Sequence, residues 1–182
     1  MNTIPLLETE RLLLRGLAPT DFDAYLALWS DEDVISYTTG IVSDRETTWA
    51  RMLRSAGHWH HLGFGFFAVE EKASGKLIGE VGFLELRRAL VPSIEGTLET
   101  GWIISPEFQG KGYAAEAVSA SLKWAEKIFP TMEFTCIIDP DNQRSLKLAD
   151  RLGFKKIAEG TYKEHQVLIL SKSAPPNRGN NA

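Results

Sequence analysis

Residues 98–129 constrain the fold of this chain more than any other segment. An apolar run at residues 98–104 leads through Ser105 and Pro106 into a glycine-rich turn at residues 109–114, and an alanine-rich helical segment follows. A strand, a glycine turn and a helix start in this order direct several backbone N–H groups at one concave point, where the helix dipole adds partial positive charge. The segment therefore predicts a phosphate-binding turn.

Length and composition limit the class of protein. A chain of 182 residues, 43% hydrophobic and 24% charged, is typical of one globular domain. The net charge of −4 argues against a broad basic surface for nucleic acid. The sequence has neither an apolar stretch of about 18 residues nor a secretory pattern at its start, and Cys136 is its single cysteine. We therefore predict a cytoplasmic protein with no membrane or nucleic-acid partner.

Hydrophobic periodicity and turn residues predict both helices and strands. Helices are expected from an N-cap at Thr20 to about Trp29, behind a capping box of Ser43 and Glu46, and along residues 114–129 and 142–152. Strands are expected at residues 10–15, 64–70, 77–86, 98–104, 133–138, 155–159 and 166–170. The prediction is a single α+β domain over residues 1–172, with a mixed, mostly antiparallel twisted sheet flanked by helices, and a disordered tail at 173–182.

Three phosphate-binding patterns compete for the glycine turn. A Walker A loop is excluded, because Ser105 and Gly112 stand where it needs glycine and then Ser or Thr. The Gly-x-Gly-x-x-Ala spacing at residues 110–115 fits the dinucleotide fingerprint, but that motif opens a parallel βαβ unit, whereas this turn follows a predicted antiparallel hairpin. The third pattern, Gln-x-x-Gly-x-Ala at residues 109–114, resembles the pyrophosphate loop of the GNAT superfamily of acetyl-CoA-dependent N-acetyltransferases.

Two further segments strengthen this resemblance. Asn142-x-x-Ser145-x-x-Leu148, followed by Leu-Gly-Phe at residues 152–154, is similar to the second half of the superfamily's cofactor site, and residues 8–15 resemble the first strand of its RimJ/RimL branch. The resemblance implies a GNAT-like fold, with acetyl-CoA as co-substrate and a primary amine that attacks it without a covalent enzyme intermediate. The residues that it implies in cofactor binding are Trp102, Ile103, Ile104, Gln109, Gly110, Lys111, Gly112, Tyr113, Ala114 and Asn142.

Glu99 is the candidate general base of such a reaction. It stands inside an apolar strand, where a buried carboxylate is costly unless it has a role or a partner. Strand alternation places it on the same face as Gly101 and Ile103, and RimJ/RimL-like proteins often carry Glu at this place. The alternative is an exposed carboxylate on a solvated strand face.

Ser145 is the candidate proton donor to the leaving thiolate. Much of the superfamily has Tyr seven residues after the motif asparagine, where this chain has Ala149. Either Ser145 takes over the protonation or solvent does, and in the second case Ser145 is a small residue packed against the cofactor. Asn142 has two interpretations as well: its amide reaches the pantetheine arm, or it is an ordinary N-cap.

The identity of the acceptor is not determined by the sequence. The branch resemblance points to protein or peptide N-termini, while small-molecule amines stay open. A CoA-binding or sensing module without catalysis is a second hypothesis, because the tyrosine is missing, and a dinucleotide-dependent oxidoreductase is a third. No metal is expected, since His58, His60 and His61 have no nearby acid or cysteine to complete a ligand set. The oligomeric state is undetermined.

Overall fold

The computed structural model describes residues 3–38 and 40–173. Its elements, numbered in chain order, are β1 (Leu7–Glu8), β2 (Leu12–Arg15), α1 (Phe22–Ser30), α2 (Glu32–Ile35), α3 (Arg45–Leu62), β3 (Phe66–Glu71), β4 (Lys76–Leu84), β5 (Leu98–Ile104), α4 (Tyr113–Ile128), β6 (Phe134–Ile138), α5 (Gln143–Arg151), β7 (Lys155–Tyr162) and β8 (His165–Lys172). Beyond Ser173, the predicted disordered tail lies outside the described residues.

Eight strands form one sheet in the order β1-β2-β3-β4-β5-β6-β8-β7. Neighbouring strands are antiparallel, except that β5 and β6 run parallel and are connected through α4. The predicted single α+β domain with a mixed, mostly antiparallel sheet is confirmed. The parallel crossover corrects one argument, however. The glycine turn does open a βαβ unit, so strand direction does not exclude a dinucleotide site.

Hydrophobic clusters cover both faces of the sheet. Ile103 packs against the cluster formed by α1, α2 and α3, whereas the next residue, Ile104, belongs to the cluster that contains the buried face of α4. Successive side chains of a strand point to opposite faces of the sheet. Strand β5 therefore lies between two helical layers, at the centre of the domain.

The start and the buried face of α4 follow from its sequence. Gly112 is the N-cap and has a φ of +84°, a left-handed conformation that glycine adopts without steric cost. Small or branched apolar residues then recur at helical spacing at Ala117, Val118, Leu122 and Ala125, and all four are buried. These small side chains let the helix pack closely on the sheet, so the turn before it is held at the end of β5.

The start of α1 differs from the prediction that Thr20 is its N-cap. A short 3-10 turn, Pro19–Asp21, precedes the helix, and the Asp21 carboxylate accepts a hydrogen bond from the Ala18 N–H at 2.8 Å. The same carboxylate pairs with Arg15 at 2.7 Å, so the acid and not the hydroxyl organises this start. The short elements β1 and α2 were also not predicted, because two to four residues carry too little periodicity.

Helix α3 begins one residue later than a capping box at Ser43 predicts. The Asp44 Oδ1 accepts a hydrogen bond from the Thr47 N–H at 2.7 Å, which makes Asp44 the N-cap. A carboxylate at this place accepts a hydrogen bond from an N–H that has no partner within the helix. Its negative charge also interacts favourably with the positive end of the helix dipole.

Replacing Asp44 with Ala should lower the free energy of unfolding by about 1 kcal/mol, because the orphan N–H loses its acceptor. Asp44→Asn keeps an acceptor oxygen and should cost less than about 0.5 kcal/mol. Chemical denaturation of the two variants measures both values. An equal loss in both would contradict the N-cap assignment.

Candidate active site

Strands β5 and β6 part soon after they begin. They pair through Leu98 with Phe134 and through Glu99 with Thr135, and by no further residue pair in the described part of the chain. Over residues 100–104, β5 keeps β4 as its partner on one side, while its other edge is left unpaired by the described residues. Apart from the Ile104 carbonyl, which accepts a hydrogen bond from the Gln109 side chain, the N–H and C=O groups of that edge are available to an extended ligand, as at any open sheet edge.

The glycine turn follows the open end of this gap. Gly110 and Gly112 have φ values of +75° and +84°, and no atom lies within 4 Å of the position that a Cβ on Gly110 would take. Within residues 3–38 and 40–173, the backbone N–H groups of Gly110, Lys111, Gly112, Tyr113 and Ala114 have no hydrogen-bond partner. Unpaired N–H groups beside the positive end of a helix dipole fit an anionic diphosphate.

Arg11 holds this turn from the N-terminal hairpin. Its Nη1 donates to the Lys111 carbonyl at 2.9 Å, and its guanidinium pairs with Glu116 of α4 at 2.6 Å. Thr9 also donates to Glu116, at 2.6 Å. The Lys111 ammonium lies 5.1 Å from the centre of the Phe108 ring. Sequence analysis missed the Arg11 contacts, because the partners are about a hundred residues apart and no local pattern connects them.

Two predicted cofactor residues use their side chains to brace the site. The Gln109 Nε2 donates to the Ile104 carbonyl at 2.9 Å, and its Oε1 accepts from the Arg144 guanidinium at 2.7 Å. The Tyr113 hydroxyl donates to Glu71, and its ring belongs to the core. The Gln109 amide thus ties the turn to β5 and to α5, and the Tyr113 hydroxyl is occupied by Glu71.

Glu99 is buried, with 7% of its surface exposed, so the alternative of an exposed carboxylate is wrong. Arg88 donates to both of its oxygens in three contacts of 2.8 to 3.0 Å. The Arg88 guanidinium also stacks on Tyr162, 4.6 Å from the ring centre. A carboxylate has about four acceptor positions, so one of them has no donor among the residues that the structure describes. A cavity of about 10 Å³ lined by Glu99, Arg88 and Thr97 has room for about one water.

Helix α5 carries the remaining predicted residues. The Asn142 Oδ1 accepts a hydrogen bond from the Ser145 N–H at 3.0 Å. Asn142 is therefore the N-cap of α5, which is one of the two roles that the sequence predicts for it. The Ser145 Oγ accepts from the Trp102 indole N–H at 3.3 Å. This bond joins β5 to the helix that follows β6.

Cys136 is not suited to covalent chemistry. Burial in the core raises the pKa of its thiol, and a thiol that stays protonated is a poor nucleophile. The described residues contain no group of three or more His, Cys, Asp or Glu that could hold a metal ion. Nor does any helix among them have both the length and the apolar character needed to cross a bilayer.

Glu80 was not singled out from the sequence, although it lies in the middle of the apolar strand β4. It is fully buried and stands directly opposite Ile103 of β5. The Tyr25 hydroxyl donates to its Oε2 at 2.7 Å, whereas its Oε1 has no partner among the described residues. Burial raises the pKa of the Glu80 carboxyl to about 7. A buried carboxyl with a raised pKa therefore lies on β4, the strand that pairs with β5 of the site.

Comparison with known proteins identifies the family. Residues 11–155 match the acetyltransferase (GNAT) domain. The Bacillus subtilis N-acetyltransferase YnaD, itself uncharacterised, is 28% identical over 156 residues, which are 86% of this chain and 85% of YnaD. The [ribosomal protein uS5]-alanine N-acetyltransferase of Escherichia coli is 26% identical over 135 residues, 68% of this chain and 66% of that protein.

Solved structures agree with the family match. The crystal structure of an acetyltransferase from Agrobacterium tumefaciens has a TM-score of 0.80 and 27% sequence identity, covering 93% of this chain and 95% of that chain. The matched domain includes the parted strands, the glycine turn and α5. The chain therefore belongs to the GNAT acetyltransferase family and is an N-acetyltransferase.

Proposed function

We propose that the protein transfers the acetyl group of acetyl-CoA to a primary amine by direct attack of the amine nitrogen. The observation that most supports this is the parting of β5 and β6 beside a turn with unpaired N–H groups. An open strand edge suits an extended arm that contains amides, and the turn suits a diphosphate. Coenzyme A joins these two chemical groups in one molecule, and the gap and the turn are joined in the same way.

The assignment of binding residues follows from that arrangement. We assign the diphosphate to the N–H groups of residues 110–114 and the pantetheine arm to the open edge at Trp102, Ile103 and Ile104. Asn142 uses its Oδ1 to cap α5, which leaves its Nδ2 to donate to the arm. The Gln109 side chain supports the turn through its contacts with its neighbours and needs no contact with the ligand.

The chemistry needs a proton acceptor for the amine and a hydrogen-bond donor for the sulfur. In this proposal Glu99 accepts the amine proton on its open acceptor position, directly or through one water. A C–N bond forms at the thioester carbonyl, and a backbone N–H of β5 stabilises the negative oxygen, an effect of roughly 3 kcal/mol. The C–S bond then breaks with its electron pair going to sulfur. Ser145 passes its hydroxyl proton to the sulfur and regains a proton from water.

We propose the amino terminus of a protein or peptide as the acceptor, as in the RimJ/RimL-like branch. The similarity to an enzyme named for the alanine of ribosomal protein uS5 supports this assignment. The net charge of −4 favours a cationic acceptor over an acidic one. We place the reaction in the cytoplasm, because a single cysteine with no disulfide partner in the chain fits a reducing compartment.

Release of CoA from acetyl-CoA in the presence of an amine panel tests the proposal. The panel contains peptides with free N-termini, the same peptides with blocked N-termini, and polyamines. We expect release with the free peptides only. Tight binding of acetyl-CoA without turnover on any amine would instead favour a sensing module, the function that Ala149 in place of tyrosine leaves open.

Gly112→Ala should weaken acetyl-CoA binding about tenfold, because an L-residue at a φ of +84° costs roughly 1–2 kcal/mol and distorts the turn. Gly75→Ala is the matched control, since Gly75 has a φ of +68° in the distant turn between β3 and β4. Calorimetric titration measures the affinity of both variants. Equal affinities would refute the assignment of the diphosphate to this turn.

A further inference from the structure

The Trp102 side chain makes a contact that its strand position does not require. Trp102 lies on β5 and Ser145 on α5, and the indole Nε1 is 3.3 Å from the Ser145 Oγ. The contact spans 43 residues of sequence and joins β5 to the helix that follows β6. An indole N–H that leaves water usually finds a hydrogen-bond partner, and here that partner is the candidate proton donor.

The direction of this hydrogen bond is fixed by chemistry. An indole nitrogen donates and cannot accept, so the Ser145 Oγ is the acceptor. The backbone of Ser145 is held as well, because its N–H donates to the Asn142 Oδ1 at 3.0 Å. In the described part of the chain, the hydroxyl hydrogen of Ser145 has no acceptor of its own. The hydroxyl therefore accepts one hydrogen bond from the indole and keeps its own hydrogen for a ligand.

We propose that Trp102 is a positioning residue that turns Ser145 into a one-way hydrogen donor toward the sulfur of acetyl-CoA. The inference rests on the proposed function. It concerns Ser145, which protonates the sulfur after the C–S bond breaks. A serine hydroxyl normally rotates to suit its neighbours. The indole N–H excludes the hydroxyl hydrogen from its own side, and a hydroxyl that accepts a hydrogen bond becomes a stronger donor through cooperative polarisation. Trp102 touches the sulfur only through Ser145, and its own proton does not move.

Kinetics of Trp102→Phe, Ser145→Ala and the double variant test this inference. Trp102→Phe keeps an aromatic ring on the strand and deletes the N–H. We expect each single variant to lower kcat about tenfold with KM for acetyl-CoA changed less than about twofold. The double variant should be no slower than Ser145→Ala alone, because the two residues act as one unit. A loss of about one hundredfold in the double variant, the product of the single losses, would overturn the inference.

A spectroscopic readout keeps the test independent of turnover. The chain has five tryptophans, so a ¹⁵N-labelled sample has five indole N–H signals. The signal that disappears in Trp102→Phe belongs to Trp102, and it should shift in Ser145→Ala without acetyl-CoA. If it stays in place, the hydrogen bond is absent in solution and the inference fails. A wild-type protein that turns over no amine would instead refute the proposed function. The indole signal of Trp102 would still show whether the hydrogen bond between Trp102 and Ser145 forms.

Discussion

Glu99→Gln is expected to lower kcat about 100- to 1,000-fold, with KM for acetyl-CoA changed less than about threefold. The amide has almost the shape of the carboxylate but cannot take up the proton that the attacking amine must lose. Glu99 lies buried on β5, three positions before Trp102, the first residue of the edge that we assign to the pantetheine arm. Steady-state CoA release at saturating acceptor measures the change.

Arg88→Met is the matched control for this substitution. It breaks the same ion pair, at 2.8 Å, from the other side and keeps the carboxylate. Each variant leaves one buried charge without its partner, so both should lose stability, by about 3 kcal/mol. If Glu99 accepts the proton, Arg88→Met should cost less than about tenfold in kcat. Equal losses of kcat in the two variants would mean that the pair serves the structure alone, and the base assignment would be wrong.

Glu80→Gln should make the folded protein more stable at pH 8, by about 3 kcal/mol, and leave its stability almost unchanged near pH 4.5. Burial raises the pKa of the Glu80 carboxyl from 4.5 to about 7 in the folded state. Folding therefore favours the neutral carboxyl. Its contribution to stability is fully present below pH 4.5 and is lost as the pH rises to about 7. Glutamine stays neutral throughout and can still accept the hydrogen bond from Tyr25.

The free energy of unfolding of wild type and Glu80→Gln, measured by denaturation between pH 4.5 and pH 8, tests this prediction. Glu164→Gln is the control, because Glu164 is an exposed acid in the turn between β7 and β8. That variant should follow the wild-type pH dependence throughout. Parallel curves for wild type and Glu80→Gln would contradict the raised pKa of the buried carboxyl.

Local patterns were sufficient for the elements that build the site. The predicted strand at residues 98–104 has the bounds of β5, and the glycine turn and α4 follow it as expected. Here each local signal agrees with the global fold: an apolar run, two left-handed glycines and small residues at helical spacing. The parting of β5 and β6 could not be predicted from the residues, since side-chain identity barely affects an unpaired backbone edge.

Long-range polar contacts could not be predicted from one sequence. Arg88 lies in a loop that has no periodicity, and only its approach to Glu99 in the folded chain explains how the buried carboxylate is compensated. The contact between Trp102 and Ser145 depends likewise on how α5 sits against β5. Such pairs depend on the relative placement of elements, which hydrophobic periodicity does not encode.

A crystal structure of the protein with bound coenzyme A is the most direct test of the central claim. We expect the diphosphate on the N–H groups of residues 110–114 and the pantetheine arm along the unpaired edge of β5, with its sulfur within hydrogen-bond distance of the Ser145 hydroxyl. A diphosphate bound elsewhere, with the turn's N–H groups directed away from it, would contradict the account of the site and the roles that depend on it.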